Sequence, residues 1–134
     1  MKFFCDQCIA LTYVRAVRVL AEIQKYEIKH LSELFSPSTP DTVWLKALAS
    51  QRDWVIVSGD PRISRSKAER AAWHESGLTA FFLADGWASR GYWNQATDLV
   101  KWWPQIVLKA REAGQGTGYF IHWNSRSMRV IYEP

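Results

Sequence analysis

Seven residues, Val55-Ile56-Val57-Ser58-Gly59-Asp60-Pro61, carry the clearest fold signal in this sequence. An apolar run rich in β-branched residues, from Trp54 to Val57, is followed directly by a turn signal that contains a carboxylate. Such a run, bounded by Gly and Pro, predicts a short strand buried on both faces, as in parallel sheets covered by helices. Ligands of open parallel sheets bind beyond the carboxyl ends of the strands. Asp60 therefore stands where a binding site is expected.

The composition is typical of a globular domain. The chain has 134 residues, of which 48% are apolar and 22% charged, which is enough for one domain with its own core. No apolar run is long enough to span a bilayer, and a charge at Asp6 follows the first residues without a secretory apolar segment. We therefore expect a cytoplasmic protein that does not bind a membrane. The net charge of +4 is a weak indication of a polyanionic partner.

Hydrophobic periodicity and turn signals predict strands that alternate with helices. The predicted strands are Lys2 to Cys5, Glu27 to Leu31, Trp54 to Ser58, Thr79 to Ala84, Tyr119 to Trp123 and Met128 to Tyr132. The predicted helices are Ile9 to Gln24, Pro40 to about Gln51 with Thr39 as its cap, one that ends near Ser76 before Gly77, and Trp93 to Ala113, in which Pro104 predicts a kink or a division into two helices. This alternation predicts one α/β domain with a mainly parallel sheet.

Three carboxylates follow predicted strands, and a fourth opens a predicted helix. Asp6, Asp60 and Asp85 follow the first, third and fourth strands, so they share the carboxyl edge of the sheet if these strands are parallel. Asp41 lies in the first turn of the helix before the third strand, at an edge that the sequence leaves open. Acids that meet in one cleft repel one another unless a cation is present, and oxygen ligands suit Mg²⁺ or Mn²⁺. Taken singly, each Asp is better explained by a turn or, for Asp41, by a helix start than by a metal site.

The order and spacing of these residues resemble the PIN-like nucleases. Asp6 after the first strand, Asp41 at a helix start and the segment 57–65 (Val-Ser-Gly-Asp-Pro-Arg-Ile-Ser-Arg) are similar to the branch that contains VapC-type toxins and Mut7-C-like domains. The segments 77–87 and 101–104 are similar to later parts of the VapC45-like domains. The resemblance extends roughly from residue 2 to residue 129.

The resemblance implies a single PIN-like domain over residues 1–134, folded as a three-layer α/β/α sandwich with a central, mainly parallel sheet. It implies metal-dependent cleavage of RNA, and many members are toxins that a cognate antitoxin inhibits. Asp6, Asp41 and Asp60 would be the catalytic acids and, with Asp85, the ligands of Mg²⁺ or Mn²⁺. Ser58 would supply a hydroxyl to the metal or the substrate. The expected partners are RNA, a cognate antitoxin and, because relatives often dimerise, a second copy of the chain.

The chain departs from the family pattern directly after Asp60. Many relatives carry a second acid there, whereas this chain has Arg62, which favours one metal over two. Arg62, Arg65 and Lys67 form a basic loop that predicts phosphate contacts, because Arg forms forked hydrogen bonds with phosphate and Lys acts as a point charge. Without the resemblance, this loop is typical of a solvated helix start in which Ser64 or Ser66 acts only as a cap.

Cys5 and Cys8 form a Cys-x-x-Cys pair at a strand-to-helix junction, where a thioredoxin-like redox pair would lie. The intervening Asp6 opposes a redox role, because a neighbouring carboxylate raises the pKa of a thiol. Strand alternation also places Cys5 in the core, so buried free cysteine is the favoured interpretation. Zinc is disfavoured, since the chain has no second Cys pair and its three His residues lack ligand spacing.

Most of the eight Trp residues are expected in the core. Trp87, Tyr92 and Trp93 flank the loop after the fourth strand, where they could stack on unpaired bases or bind a protein, although core packing is favoured.

Three functional hypotheses follow. The leading one is a metal-dependent endoribonuclease that acts as the toxin of a toxin–antitoxin pair. The alternative is a non-catalytic PIN-like module that binds RNA or a protein, which the missing second acid after Asp60 suggests. A minor alternative is a redox protein that uses Cys5 and Cys8.

Overall fold

A computed structural model describes residues 1–112 and 114–134, with the backbone but not the side chain of Ser64. The strands are β1 (Lys2–Cys5), β2 (Glu27–His30), β3 (Trp54–Ser58), β4 (Thr79–Leu83), β5 (Gly118–Ile121) and β6 (Arg129–Tyr132). The α-helices are α1 (Leu11–Leu20), α2 (Leu31–Leu34), α3 (Asp41–Gln51), α4 (Lys67–Ser76) and α5 (Tyr92–Glu112). Two 3₁₀ turns, Glu22–Gln24 and Pro61–Ser64, follow α1 and β3 respectively.

All six strands form one sheet in the order β2-β1-β3-β4-β5-β6. The first five are parallel to one another, and β6 at the edge is antiparallel to β5. Cys5 pairs in register with Val57, and Val57 with Phe81. The carboxyl ends of β1, β3 and β4 therefore lie side by side, as a mainly parallel sheet requires.

Helices cover both faces of the sheet. Strand alternation sends Phe3 and Phe4 to opposite faces, and both are fully buried. One core lies under α1 and α5 and includes Phe3, Val14, Val57, Phe81 and Trp102. The other lies under α3 and α4 and includes Phe4, Trp44, Ile56, Trp73 and Phe82. The predicted three-layer α/β/α sandwich is thus confirmed, and each large side chain buried in it contributes on the order of 1.5–3 kcal/mol of hydrophobic stabilisation.

Most predicted elements occur within a few residues of their expected positions, and β3 has the predicted bounds. Gly77 ends α4 in the left-handed conformation with φ 70°, as predicted. The first helix is shorter than predicted, because α1 ends at Leu20 and a 3₁₀ turn then leads to Lys25 in the left-handed region. The predicted cap Thr39 is wrong, since Pro40 takes the N-cap position of α3 without a side-chain hydrogen bond.

Helix α2 was not predicted, and α5 is simpler than predicted. His30 caps α2 by accepting a hydrogen bond from the N–H of Ser32, and His lies outside the usual capping residues. Helix α5 continues through Pro104, so the residue does not divide it into two helices. Its predicted end, Ala113, lies outside the described residues. None of the described helices is both long and apolar enough to cross a membrane.

Candidate active site

Asp6 follows β1 at the carboxyl edge of the sheet, and its side chain is almost entirely enclosed. Its Oδ1 accepts hydrogen bonds from the backbone N–H groups of Gly59, at 3.0 Å, and Cys8, at 3.2 Å. The Ser58 hydroxyl donates to its Oδ2. These donors fix the orientation of the carboxylate from the loops after both β1 and β3.

Burial raises the pKa of Asp6 from 3.8 to about 6. The hydrogen bonds from Ser58 and Gly59 oppose this increase because they favour the charged form, whereas the nearby charge of Asp41 adds to it. A carboxylate in this state is stabilised by any cation that reaches it. The local chemistry therefore favours either a proton or a metal ion at this position.

Gly59 allows the two loops to meet. A Cβ atom at this position would lie 3.1 Å from the Cβ of Cys8 and 3.2 Å from its carbonyl carbon, which is closer than most real contacts. Because glycine has no side chain, its N–H can approach Asp6. The close approach of the two loops therefore explains why glycine, rather than a larger residue, follows Ser58.

Asp60 is held by the residues on either side of it. Its backbone N–H donates to the Ser58 hydroxyl oxygen at 3.2 Å, so one hydroxyl connects Asp6 and Asp60. Its Oδ1 accepts from the backbone N–H of Arg62 at 3.0 Å, and its Oδ2 accepts from the Nε of Arg62 at 2.7 Å. Burial alone would raise the pKa of Asp60, but the hydrogen bonds and charge of Arg62 outweigh it and lower that pKa.

Asp41 reaches the same place from the start of α3, which settles the edge on which it lies. Its Oδ1 accepts from the indole Nε1 of Trp44 at 3.1 Å. Its Oδ2 accepts from Nη2 of Arg62 at 3.0 Å, and the same nitrogen lies 2.5 Å from Oδ2 of Asp60. One guanidinium group therefore bridges two of the predicted catalytic acids.

Glu69 is a further acid in this region that the sequence interpretation missed. A small cleft is lined by Asp41, Ser58, Asp60, Ile63, Glu69, Trp73 and Phe82. The backbone N–H of Glu69 donates to the Ser66 hydroxyl at 3.2 Å, so Ser66 caps α4, as its alternative interpretation proposed. The pattern Ser66-x-x-Glu69 signals a helix start, and a helix that follows β3 begins at the carboxyl edge. That signal could have placed Glu69 in the site.

The other predicted site residues, Asp85, Arg65 and Lys67, have exposed side chains. Both carboxylate oxygens of Asp85 accept from Nη2 of Arg65, at 3.0 and 2.9 Å, and both side chains are exposed. Lys67 is exposed at the start of α4. Asp85 is not among the described residues that line the cleft. Among the described residues, no three His, Cys, Asp or Glu side chains are already arranged to hold a metal ion.

The donor chemistry of the cleft nevertheless suits a divalent cation. Asp41, Ser58, Asp60 and Glu69 line the cleft, and Asp6 adjoins it through its hydrogen bond with Ser58. Their carboxylate and hydroxyl oxygens are the hard ligands that Mg²⁺ and Mn²⁺ prefer. Asp41 and Asp60 are at present balanced by the guanidinium of Arg62 instead. A metal ion that used both Asp41 and Asp60 would have to compete with that guanidinium.

The cysteines lack the properties of a redox pair. Both are free, Cys5 in the core and Cys8 exposed. Desolvation, followed by the charge of Asp6, raises the pKa of the buried Cys5 thiol. Although Cys8 is exposed as a residue, partial desolvation of its thiol and the charge of Asp6 raise its pKa to about 11. Reactive cysteines have a lowered pKa, so the structure favours the interpretation as free structural thiols.

The aromatic residues after β4 divide into two groups. Trp87 is buried, and its indole N–H donates to the carbonyl oxygen of Ile121 at 2.9 Å, so the favoured core interpretation is correct for this residue. Tyr92 and Trp93 are 55% and 78% exposed at the start of α5, so for them that interpretation is wrong.

Comparison with protein families places most of this site within a known domain. A family model described as a PIN-like domain matches residues 1–85, well over half of the 134-residue chain. The matched region contains β1 to β4 and the acids Asp6, Asp41, Asp60 and Glu69. The chain matches no curated protein and no solved structure.

Proposed function

Since the chain belongs to the PIN-like domain family, whose fold is of the nuclease type, we propose that it is a metal-dependent endoribonuclease that hydrolyses RNA phosphodiester bonds. One observation carries this proposal. Ser58 connects Asp6 to Asp60, and Arg62 connects Asp60 to Asp41, so acids from three separate segments meet at the carboxyl edge of the sheet. Binding sites of open parallel sheets lie at that edge.

The residues of this chain have distinct roles in the proposed reaction. Asp6, Asp41 and Asp60 would hold Mg²⁺ or Mn²⁺, and Glu69 adds a further carboxylate to the same cleft. When bound, such a cation lowers the pKa of water and stabilises charge on phosphate oxygens. The Ser58 hydroxyl and backbone N–H groups keep Asp6 oriented before any ligand arrives, which is the preorganisation that electrostatic catalysis requires.

The basic loop would position the nucleic acid. Arg62 and Arg65 are both more than half exposed, so their guanidinium groups can reach phosphate oxygens with little rearrangement. Lys67 adds a further exposed charge at the start of α4. Each such contact releases counterions, so binding would weaken as the salt concentration increases.

We further propose a biological setting on the strength of the sequence resemblance. Segments 57–65, 77–87 and 101–104 together support assignment to the VapC45-like and Mut7-C-like branch, and with it the role of a cytoplasmic toxin that a cognate antitoxin inhibits. In this proposal residues 1–134 form one PIN-like domain that can dimerise. Asp85, which Arg65 now engages, remains a predicted metal ligand.

The proposal is tested by cleavage of single-stranded RNA in Mn²⁺ and in EDTA. We expect cleavage only with the metal, and a loss of at least about 100-fold in Asp6→Asn and Asp60→Asn, because losing a ligand should cost more than losing an outer-shell partner. Asp53→Asn is the matched control, since Asp53 is an exposed acid that pairs only with Lys2, at 3.5 Å, among the described residues. This control should retain full activity.

The second candidate is a PIN-like module that binds RNA or a protein without cleaving it. The bridge from Arg62 to Asp41 and Asp60 favours it, because a guanidinium that satisfies both acids leaves no need for a metal. If the wild-type protein binds RNA but cleaves none across a range of metals and substrates, the binding module is the better description.

A further inference from the structure

The oxygens of Asp41 and Asp60 are divided between two kinds of donor. In each residue Oδ1 is held by a fixed structural group, the indole N–H of Trp44 for Asp41 and the backbone N–H of Arg62 for Asp60. In each residue Oδ2 is held by the Arg62 side chain. Within the described part of the chain, Arg62 is the donor to both Oδ2 atoms. Its guanidinium therefore occupies, in each acid, the oxygen that the fixed structural donors do not hold.

Resting on the proposed function, we propose that Arg62 is an internal counter-ion that competes with the divalent cation for Asp41 and Asp60 and transfers to a substrate phosphate when that cation binds. Metal binding and phosphodiester binding are then positively coupled. Arg62 acts as a positioning residue that keeps the acids paired until the cation displaces it.

The acids keep their orientation when Arg62 leaves. Asp60 remains fixed through its Oδ1, because that contact comes from the Arg62 backbone rather than from the side chain. Asp41 remains fixed through Trp44, whose side chain is fully buried in the core. The Arg62 side chain is itself 59% exposed, so it can move into solvent with little loss of packing. Replacement of the Arg62 guanidinium by a metal ion therefore requires only a rotation of the Arg62 side chain.

When a metal ion replaces Arg62, both the acids and the guanidinium keep a partner of opposite charge. While Arg62 pairs with the acids, a divalent cation must break two exposed ion pairs, which are individually weak. A phosphodiester offers the released guanidinium an equivalent anionic partner with forked hydrogen bonds. Because coupling between two binding sites is reciprocal, the phosphodiester must also tighten metal binding by the same factor.

The first test measures the Mn²⁺ dissociation constant at pH 7.5 by electron paramagnetic resonance of free Mn²⁺. We expect Arg62→Gln to bind Mn²⁺ about tenfold more tightly than wild type, corresponding to the loss of two competing surface ion pairs. Arg62→Lys should lie between the two, because Lys keeps the charge but lacks the fork. Lys2→Gln is the matched control: it removes one positive charge and a surface ion pair with Asp53 at the start of β1, outside the site, and should change the affinity less than threefold.

The second test measures the coupling itself. The probe is a short phosphorothioate oligoribonucleotide at saturating concentration, with its integrity checked on a gel. It should tighten Mn²⁺ binding by wild type about tenfold and binding by Arg62→Gln by no more than about twofold. Fluorescence anisotropy of the labelled probe, with and without Mn²⁺, should give the same factor in reverse.

The outcomes separate this inference from the proposed function. If Mn²⁺ binds wild type, Arg62→Gln and Lys2→Gln equally, or if the oligonucleotide tightens Mn²⁺ binding in the Arg62 variants as much as in wild type, the counter-ion role is wrong and the nuclease proposal stands. If none of the proteins binds Mn²⁺, with or without the probe, both are wrong. Arg62→Lys provides the same comparison if Arg62→Gln does not fold.

Discussion

Replacing Asp6 with Asn should stabilise the metal-free protein at neutral pH, although it removes a proposed metal ligand. The wild-type carboxylate is charged in an enclosed site, where burial raises its pKa from 3.8 to about 6. Asn has nearly the same shape and no charge. Its carbonyl oxygen can accept from Gly59 and Cys8 as Oδ1 does now, and its amide can donate to Ser58.

The size of this stabilisation follows from the shift in the pKa of Asp6. A change from 3.8 to about 6 corresponds to about 3 kcal/mol at 1.36 kcal/mol per pKa unit. Between these values the folded state binds more protons than the unfolded state, so the contribution of Asp6 becomes less favourable as the pH increases from about 4 to about 6. Above pH 6 the full free-energy cost of the buried Asp6 charge remains. The advantage of Asp6→Asn should therefore be small near pH 4 and about 3 kcal/mol at pH 7.5, or roughly 10 °C in Tm.

The measurement is urea unfolding of both proteins in EDTA across that pH range, with Asp53→Asn as the control. Asp53 is exposed, so its replacement should change the free energy of unfolding by less than about 0.5 kcal/mol. Adding Mn²⁺ at pH 7.5 should stabilise the wild type more than Asp6→Asn, because a ligand bound to the native state shifts the equilibrium. If Asp6→Asn is no more stable than wild type at pH 7.5, or its advantage does not depend on pH, the buried charge is not the cause.

Two further predictions concern the residues around the site and the sheet edge. Glu69→Gln should weaken Mn²⁺ binding about tenfold, whereas Glu75→Gln, an equal charge change at an exposed position of the same helix, should have little effect; equal effects would remove Glu69 from the site. Gly118→Ala should destabilise the fold by about 1–3 kcal/mol, because its Cβ would lie 2.1 Å from the ring of Tyr132. Gly114→Ala, with no atom within 4 Å of the new Cβ, is the control for thermal unfolding, and equal effects of the two would contradict the steric argument.

The overall fold could be predicted because its signals are local. The run from Trp54 to Val57 is buried on both faces as its unbroken apolar character indicates, and β3 ends where Gly and Pro follow. Helix α2 could not be predicted in this way. Its four residues are too few for a periodic pattern, and its capping residue His30 is not one that normally signals a helix start.

The candidate site could be predicted only as a set of residues at one edge. Parallel pairing of β1 and β3 brings Asp6 and Asp60 together, which sequence order alone suggests once the strands are known. Asp85 follows its strand in the same way, yet its side chain turns to Arg65. Strand position therefore identifies which backbone reaches the edge but not which partner each side chain selects.

The sequence by itself determined the α/β class, the strand that ends at Ser58-Gly59-Asp60 and the presence of acids and bases in the following loop. These features depend on neighbouring residues, whose periodicity and turn preferences can be read along the chain. Only the tertiary structure decided that Arg62 lies between Asp41 and Asp60 and that Glu69 joins them. The physical reason is that these contacts depend on how α3 and α4 pack against β3. That packing is set by all the side chains buried between these helices and the sheet, which lie far apart in the sequence.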